Sequence, residues 1–487
     1  MSLLSSFVLG LLMYDSTTGL DWNQYSNTIK FFRGESDYVN DPQGALYFSI
    51  ISKLIYFFGF ENQLSVSVLV QSFNFQLFLV GLVGLKVLLE NRYFDKKNIY
   101  LTLCILCYFP PVWYMRLTMK PEVFAFAIFP WVLYFLDLYL VSKKSNFLIP
   151  SIISTTLIIT SKASIGGMVL LCLIIYYYKE IMNFKKISKL LAGGALASLL
   201  IIFENYRNMK MWLFEKFLIM PELGPSFSYL EWDNQAPLRF FINIDITNLY
   251  RNPFKYIHSD SFVSITLLDT LSDYFGFFWN HEEINNLIAF NRFQFTENFL
   301  IQSFLPMYIS IIFTLCFYCF LFLAIIFKKN DWGYFTFPFI GLIILIINSL
   351  GFPSNNFNPA TGDTFKVHYY SFLISFTFTF VVALLNSFLK KYKLFNIFLI
   401  PIFLLSMGFP KEFSENYESK LNERAQLIYS CNLYNSSNTS CEFKPVLLKN
   451  EKIFTDSYKN NSRLNLNYLF LFTFISSIFN AMIKRKN

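Results

Sequence analysis

The sequence predicts an all-α polytopic membrane protein of about twelve transmembrane helices, each needing roughly 17 to 25 apolar residues. Three observations predict it. Of 487 residues, 54% are hydrophobic and 15% charged, whereas a soluble globular chain carries about 25% charged residues. Apolar runs of span-like length recur from one end of the chain to the other. The basic residues behind the net charge of +8 fall in short clusters between those runs, the pattern of the positive-inside bias rather than of a nucleic-acid surface. No nucleic-acid partner is expected, and the lipid bilayer is the first partner that is.

Taken in order, the first run, residues 2–13, lacks a basic start and a small-residue cleavage site, so it reads as a first span and not as a signal peptide. Further spans are expected near 64–90, 98–114, 123–141, 146–160, 164–178, 187–203, 303–327, 333–350, 368–389, 394–409 and 466–483. The stretch 45–60 is read as a helix lying in the interface, with Lys53, Ser49, Ser52 and Tyr56 along one side. With 45–60 on the surface, Arg92/Lys96/Lys97, Lys143/Lys144, Lys179/Lys185/Lys186/Lys189, Lys328/Lys329, Lys390/Lys391/Lys393 and Lys484/Arg485/Lys486 all fall on one side. That side is assigned to the cytoplasm, with both termini there, as in a bacterial cytoplasmic membrane. The expected organisation is an N-terminal transmembrane catalytic module, 1–203, which includes an outer loop at 15–63. A long outer loop, 204–302, follows, then C-terminal transmembrane helices, 303–409, an outer segment, 410–465, and a last helix with a basic tail, 466–487.

The candidate chemistry lies on the outer side. After the first span, Trp22, Tyr25, Ile29 and Phe32 recur at helical spacing, which reads as a helix on a membrane surface. Asp21 and Tyr25 are one turn apart and share a face. A carboxylate held beside the membrane is a candidate general base, Asp21. Arg116, Lys120, Lys162 and Lys366 are lone basic residues at outer span ends, placed to reach a phosphate at headgroup level. Each has a plainer alternative, snorkelling or pairing with Glu122 or Asp363; taken together they point to an anionic lipid ligand. Asp269 and Asp273, one turn apart, either cap or line an acceptor cleft or simply satisfy a re-entrant helix. Cys104/Cys107 and Cys316/Cys319 lie inside apolar runs and read as packing residues. His258, His281 and His368 are too scattered to argue a metal site, so no metal and no cofactor is expected. Cys431 and Cys441, in a polar outer segment, are expected to form a disulfide whose closed loop adds roughly 2–3 kcal/mol of stability.

Asp21 and Tyr25, then the stretch Asp41-Pro42-Gln43-Gly44-Ala45-Leu46-Tyr47, together resemble the first outer loop of the C-class glycosyltransferases (GT-C). That group includes the protein O-mannosyltransferases and the aminoarabinose transferases. The turn Lys120-Pro121-Glu122 resembles their second outer loop, and Lys162 and Lys366, the latter before His368-Tyr369-Tyr370, resemble their donor-phosphate positions. The resemblance implies two juxtamembrane helices in the first outer loop, 45–60 being the second. It implies an inverting transfer from a polyprenyl-phosphate sugar to an acceptor hydroxyl on a glycan, lipid or protein. Asp21 would be the base, and Tyr25, Arg116, Lys120, Glu122, Lys162, Lys366 and Tyr369 would contact substrate. Two other classes stay open, a polysaccharide polymerase or ligase and a transporter. Surface-side chemistry on spans almost free of charge favours the transferase.

Overall fold

The computed structural model describes Leu3 and residues 46–59, 63–92, 94–117, 119–142, 144–178, 238–251, 253, 261–271, 304–327, 332–351, 367–388 and 397–406. Regular structure among the described residues is helical throughout. Asp21, Tyr25, Lys366, Cys431 and Cys441, with the expected spans at 2–13, 187–203 and 466–483, lie outside the described residues. Among the described residues, four helical stretches are long and apolar enough to cross a membrane: Leu69–Asn91, Glu122–Ser142, Met307–Ile326 and Val367–Phe388.

The helices follow the expected order. They are α1 (Leu46–Phe58), α2 (Gln63–Asn91), α3 (Lys96–Leu106), α4 (Pro110–Leu117), α5 (Glu122–Ser142), α6 (Ser145–Ser161) and α7 (Ala163–Tyr176). Beyond a long gap come α8 (Leu238–Ile242), α9 (Ile246–Arg251), α10 (Phe262–Asp269), α11 (Phe304–Ile326), α12 (Trp332–Phe335) and α13 (Phe337–Gly351). A 3-10 turn, Val367–Tyr370, then leads into α14 (Ser371–Phe388), and α15 (Leu399–Ser406) closes the described chain.

The expected span at 98–114 is not one straight helix. Asp95 starts α3 by accepting from Asn98 N–H at 2.8 Å, but Pro110 and Pro111 follow Phe109, and α3 and α4 meet at a bend of 64°. Proline has no N–H to continue the ladder and is well suited to the first helical position. The bend frees the Cys107 carbonyl, which accepts from Trp113 Nε1 at 2.6 Å. Counted as one crossing, this bent pair makes a fifth span. The expected runs at 146–160 and 164–178 form helices of 17 and 14 residues. These are short for a perpendicular crossing of a hydrocarbon layer about 30 Å thick.

The stretch read as interfacial is helical, as α1, and its described side chains differ in burial. Tyr47, Phe48, Ile51 and Ile55 are buried while Lys53 and Phe57 are exposed. Packing of α2 on α5 is close enough to exclude a Cβ: one built on Gly81 would lie 2.6 Å from Phe126 Cε1 and 2.9 Å from the Phe126 carbonyl oxygen. Ala normally gains about 1 kcal/mol over Gly within a helix, but overpacking against backbone costs about 1–3 kcal/mol. Gly81→Ala is therefore expected to lower the melting temperature in detergent; an unchanged or raised value would show that α2 and α5 can separate freely.

Polar residues mark both ends of α5. At its C-terminal end Asp137 pairs with Arg92 at 2.7 Å and accepts from Tyr177 Oη at 2.6 Å. Arg92 also donates to the hydroxyls of Tyr176 and, at 2.9 Å, Tyr334. This network joins α2, α5, the end of α7 and α12. Nearby α3 is fastened to α14 through Asn98, whose Nδ2 donates to the Ala383 carbonyl and Ser387 Oγ at 2.8 and 2.6 Å. Asp137 thus sits within an apolar helix, satisfied by a partner from another.

Candidate functional site

The N-terminal end of α5 carries the second polar assembly. Pro121 fixes the entry to α5, its carbonyl accepting from Phe124 and Ala125 N–H at 3.0 and 3.2 Å. Glu122 thereby occupies the first turn, where the helix dipole favours a carboxylate. Between α6 and α7 the chain reverses on one residue. Lys162, in extended conformation, ends α6 and caps α7. The third contributor is the turn Val367–Tyr370 at the head of α14. Its first N–H, that of Val367, donates to Asp269 Oδ2 at 2.9 Å, and Ser371 Oγ donates to the His368 carbonyl at 2.7 Å.

These pieces close a circuit of contacts. Glu122 Oε1 accepts from Lys162 Nζ at 2.8 Å. The same ammonium lies 4.2 Å from the centre of the Tyr369 ring, over its electron-rich face. Tyr369 contacts the ring of His368, centroids 4.4 Å apart. His368 Nε2 lies 3.2 Å from Lys120 Nζ, and Pro121 alone separates Lys120 from Glu122. Tyr114 from α4 packs on His368 with ring centroids 5.0 Å apart. Lys120, Glu122, Lys162 and His368 are all buried. The circuit contains two ammoniums, one carboxylate and an imidazole, and the first residues of α5, α7 and α14 meet at it. Positive helix ends and ammoniums together favour an anion. Glu122 Oε2 is fully buried with no hydrogen-bond partner among the described residues, so it remains an acceptor for a donor from outside.

Of the residues expected at the site, the structure brings together Lys120, Glu122, Lys162 and Tyr369. For Lys162, pairing with Glu122, the plainer alternative, is realised. Arg116 is placed differently: its guanidinium lies over the rings of Trp113, Phe75 and Phe78, 4.7, 5.5 and 5.5 Å from their centres. Its carbonyl accepts from Asn74 Nδ2 at 3.2 Å, and Asn74 Oδ1 accepts from Tyr47 Oη at 2.8 Å. Burial holds the Tyr47 phenol proton well above its usual range, so Tyr47 is a permanent donor tying α1 to the chain just ahead of Lys120.

Two members were underweighted by the sequence. His368 abuts Lys366, the one signal that marked it, and it is the structure that gives it Lys120 as a partner. Asp269, left between two roles, caps the turn that carries His368; the nearly hundred-residue separation hides such a contact from any local pattern. Among the described thiols, Cys107 is buried at the bend while Cys316 and Cys319 face outward from α11, so packing in the core describes the first and not the other two. No three His, Cys, Asp or Glu side chains gather as a metal-ligand set among the described residues. No protein-family model matches the chain, and neither a curated protein nor a solved structure is similar to it.

Proposed function

We propose that this chain is a membrane-embedded glycosyltransferase that moves a sugar from a polyprenyl-phosphate donor to an acceptor hydroxyl at the outer face. The observation that carries the reading is the buried circuit of Lys120, Glu122, Lys162, Tyr369 and His368 at the head of three helices. Glu122 and Asp137 are fifteen residues apart in α5, roughly 22 Å at 1.5 Å per residue. In this reading the circuit lies near one face of the bilayer and the Arg92 network near the other. A phosphate at headgroup level meets ammoniums that stabilise charge where it develops on the leaving group. The Glu122 Oε2 acceptor suits a sugar hydroxyl next to that phosphate. Asp21, in the outer loop that α1 closes, takes the proton of the attacking hydroxyl as the anomeric carbon inverts.

Membrane fractions carrying the chain, supplied with radiolabelled polyprenyl-phosphate sugars, should transfer label to an endogenous acceptor and continue to do so in EDTA. Lys120→Ala should raise the apparent donor KM roughly tenfold, the loss of one charge-assisted hydrogen bond. Failure of every polyprenyl-phosphate sugar to donate, in membranes where the chain is folded and abundant, would overturn the reading.

A further inference from the structure

We propose that His368 takes up a proton as the leaving phosphate forms beside Lys120, so that the site matches the extra negative charge of its product. The inference rests on the phosphate reading above and adds a residue to its chemistry. It starts from two basic nitrogens, Lys120 Nζ and His368 Nε2, 3.2 Å apart in a buried setting. Two protonated bases at that distance repel one another strongly where water is excluded. With Lys120 an ammonium, it donates and the imidazole accepts, leaving the imidazole hydrogen on Nδ1. His368 in this state stands one proton short of a cation, and a nearby anion is what makes that proton favourable.

Groups from several elements face His368 among the described residues. Lys120 comes from the turn before α5 and Tyr114 from α4. Tyr369 lies on its own turn and separates it from the Lys162–Glu122 pair. Asp269 of α10 holds the N–H of Val367, one residue away. One oxygen of each carboxylate is already engaged, Glu122 by Lys162 and Asp269 by the backbone.

The donor is a phosphate diester carrying one negative charge. When the bond between the anomeric carbon and the phosphate oxygen breaks, its electron pair stays on that oxygen, and the phosphate becomes a monoester of charge −2. The new bond forms to the acceptor oxygen, whose proton goes to Asp21. Lys120 turns its N–H from imidazole to phosphate, His368 binds a proton from water at Nε2, and the new N–H donates to the phosphate. The site gains one positive charge as its ligand gains one negative charge. In the product complex the proton lost by the acceptor and the one taken up by His368 balance; when the phosphate leaves, Asp21 and His368 both return their protons, and the completed turnover releases one proton to solvent.

The test is calorimetric binding to the purified full chain at pH 7.5, in buffers of different ionisation enthalpy. The probes are farnesyl phosphate, its methyl diester and inorganic phosphate. At that pH a phosphate monoester, with a second pKa of about 6, is already the dianion. We expect roughly one proton taken up per farnesyl phosphate and none for the diester. The affinity for the monoester should then fall about tenfold for each pH unit above 7. His368→Gln, whose carboxamide oxygen can still accept from Lys120, should bind the monoester with no proton uptake. Uptake that persists in His368→Gln would place the proton on the phosphate and overturn the role of His368, as would no uptake by the wild type. Should the Gln variant fail to fold, the wild-type contrast between monoester and diester decides: equal proton counts overturn the proposal. Inorganic phosphate bound as tightly as farnesyl phosphate, with the same proton count, would support the His368 role and overturn the lipid ligand. No binding of any probe to folded wild type would overturn the phosphate reading itself, and the inference with it.

Discussion

Lys162→Met is expected to destabilise the folded chain by about 3–5 kcal/mol, the cost of stranding one member of a buried ion pair. Glu122 is fully buried, and its Oε1 has Lys162 at 2.8 Å while its Oε2 has no partner among the described residues. Removing Lys162 leaves that carboxylate without its counter-charge in a site that excludes water. Methionine keeps much of the stem volume and its contact with Tyr369, so packing loss is a small part of the effect. Glu122→Gln in the same background should restore most of the stability, because two neutral groups no longer carry an unpaired charge. Denaturant or thermal unfolding of the single and double variants in one detergent checks it. Strictly additive losses would show that the two side chains are not coupled. Donor transfer should stay impaired in the double variant even when stability returns, as expected of a pair that binds substrate as well as holding the fold.

The helices were legible because burial in lipid leaves few choices. A run of about twenty apolar residues must satisfy its own backbone as a helix, and the expected runs reappear as α2, α5, α11 and α14. What the pattern could not show was where a run bends. Pro110-Pro111 is visible in the sequence, yet an apolar count reads through it, and the 64° break appears only when the backbone ladder is followed. The site was half legible. Lone basic residues at span ends marked Lys120 and Lys162, and Lys120-Pro121-Glu122 marked the turn, because a charge at a span end has a physical cost that invites a reason. The partners were not legible, since Glu122 meets Lys162 and Lys120 meets His368 only after the ends of α5, α7 and α14 converge. Asp137 was passed over for the same reason. A single carboxylate near the end of an apolar helix is unremarkable until Arg92 and Tyr177 are found around it.

Asp21→Asn should lower the rate of sugar transfer by roughly 10²–10⁴, the usual worth of a positioned general base. Asn is close in shape to Asp but has no carboxylate to accept the proton of the attacking hydroxyl. The loss should fall on kcat, with donor KM almost unchanged, because the phosphate contacts assigned to Lys120 and Lys162 are untouched. The acid limb of the pH–rate profile, set in the wild type by protonation of the base, should flatten in the variant. Asp21 itself lies outside the described residues, and the part of the expected outer loop that is described is α1. That loop ends in α1, where Tyr47 donates to Asn74 and Asn74 to the Arg116 carbonyl, four residues ahead of Lys120. Tyr47→Phe removes the first of those bonds without touching Asp21 or the circuit. It should reduce kcat less than Asp21→Asn and leave the acid limb in place, as expected of a residue that ties α1 to the chain ahead of Lys120 and does not act as the base. Wild-type turnover by Asp21→Asn, at normal abundance in the membrane, would remove Asp21 as the base. The circuit would then be left without its assigned catalytic carboxylate, and Glu122, whose Oε2 is buried with no hydrogen-bond partner among the described residues, would be the next residue to test.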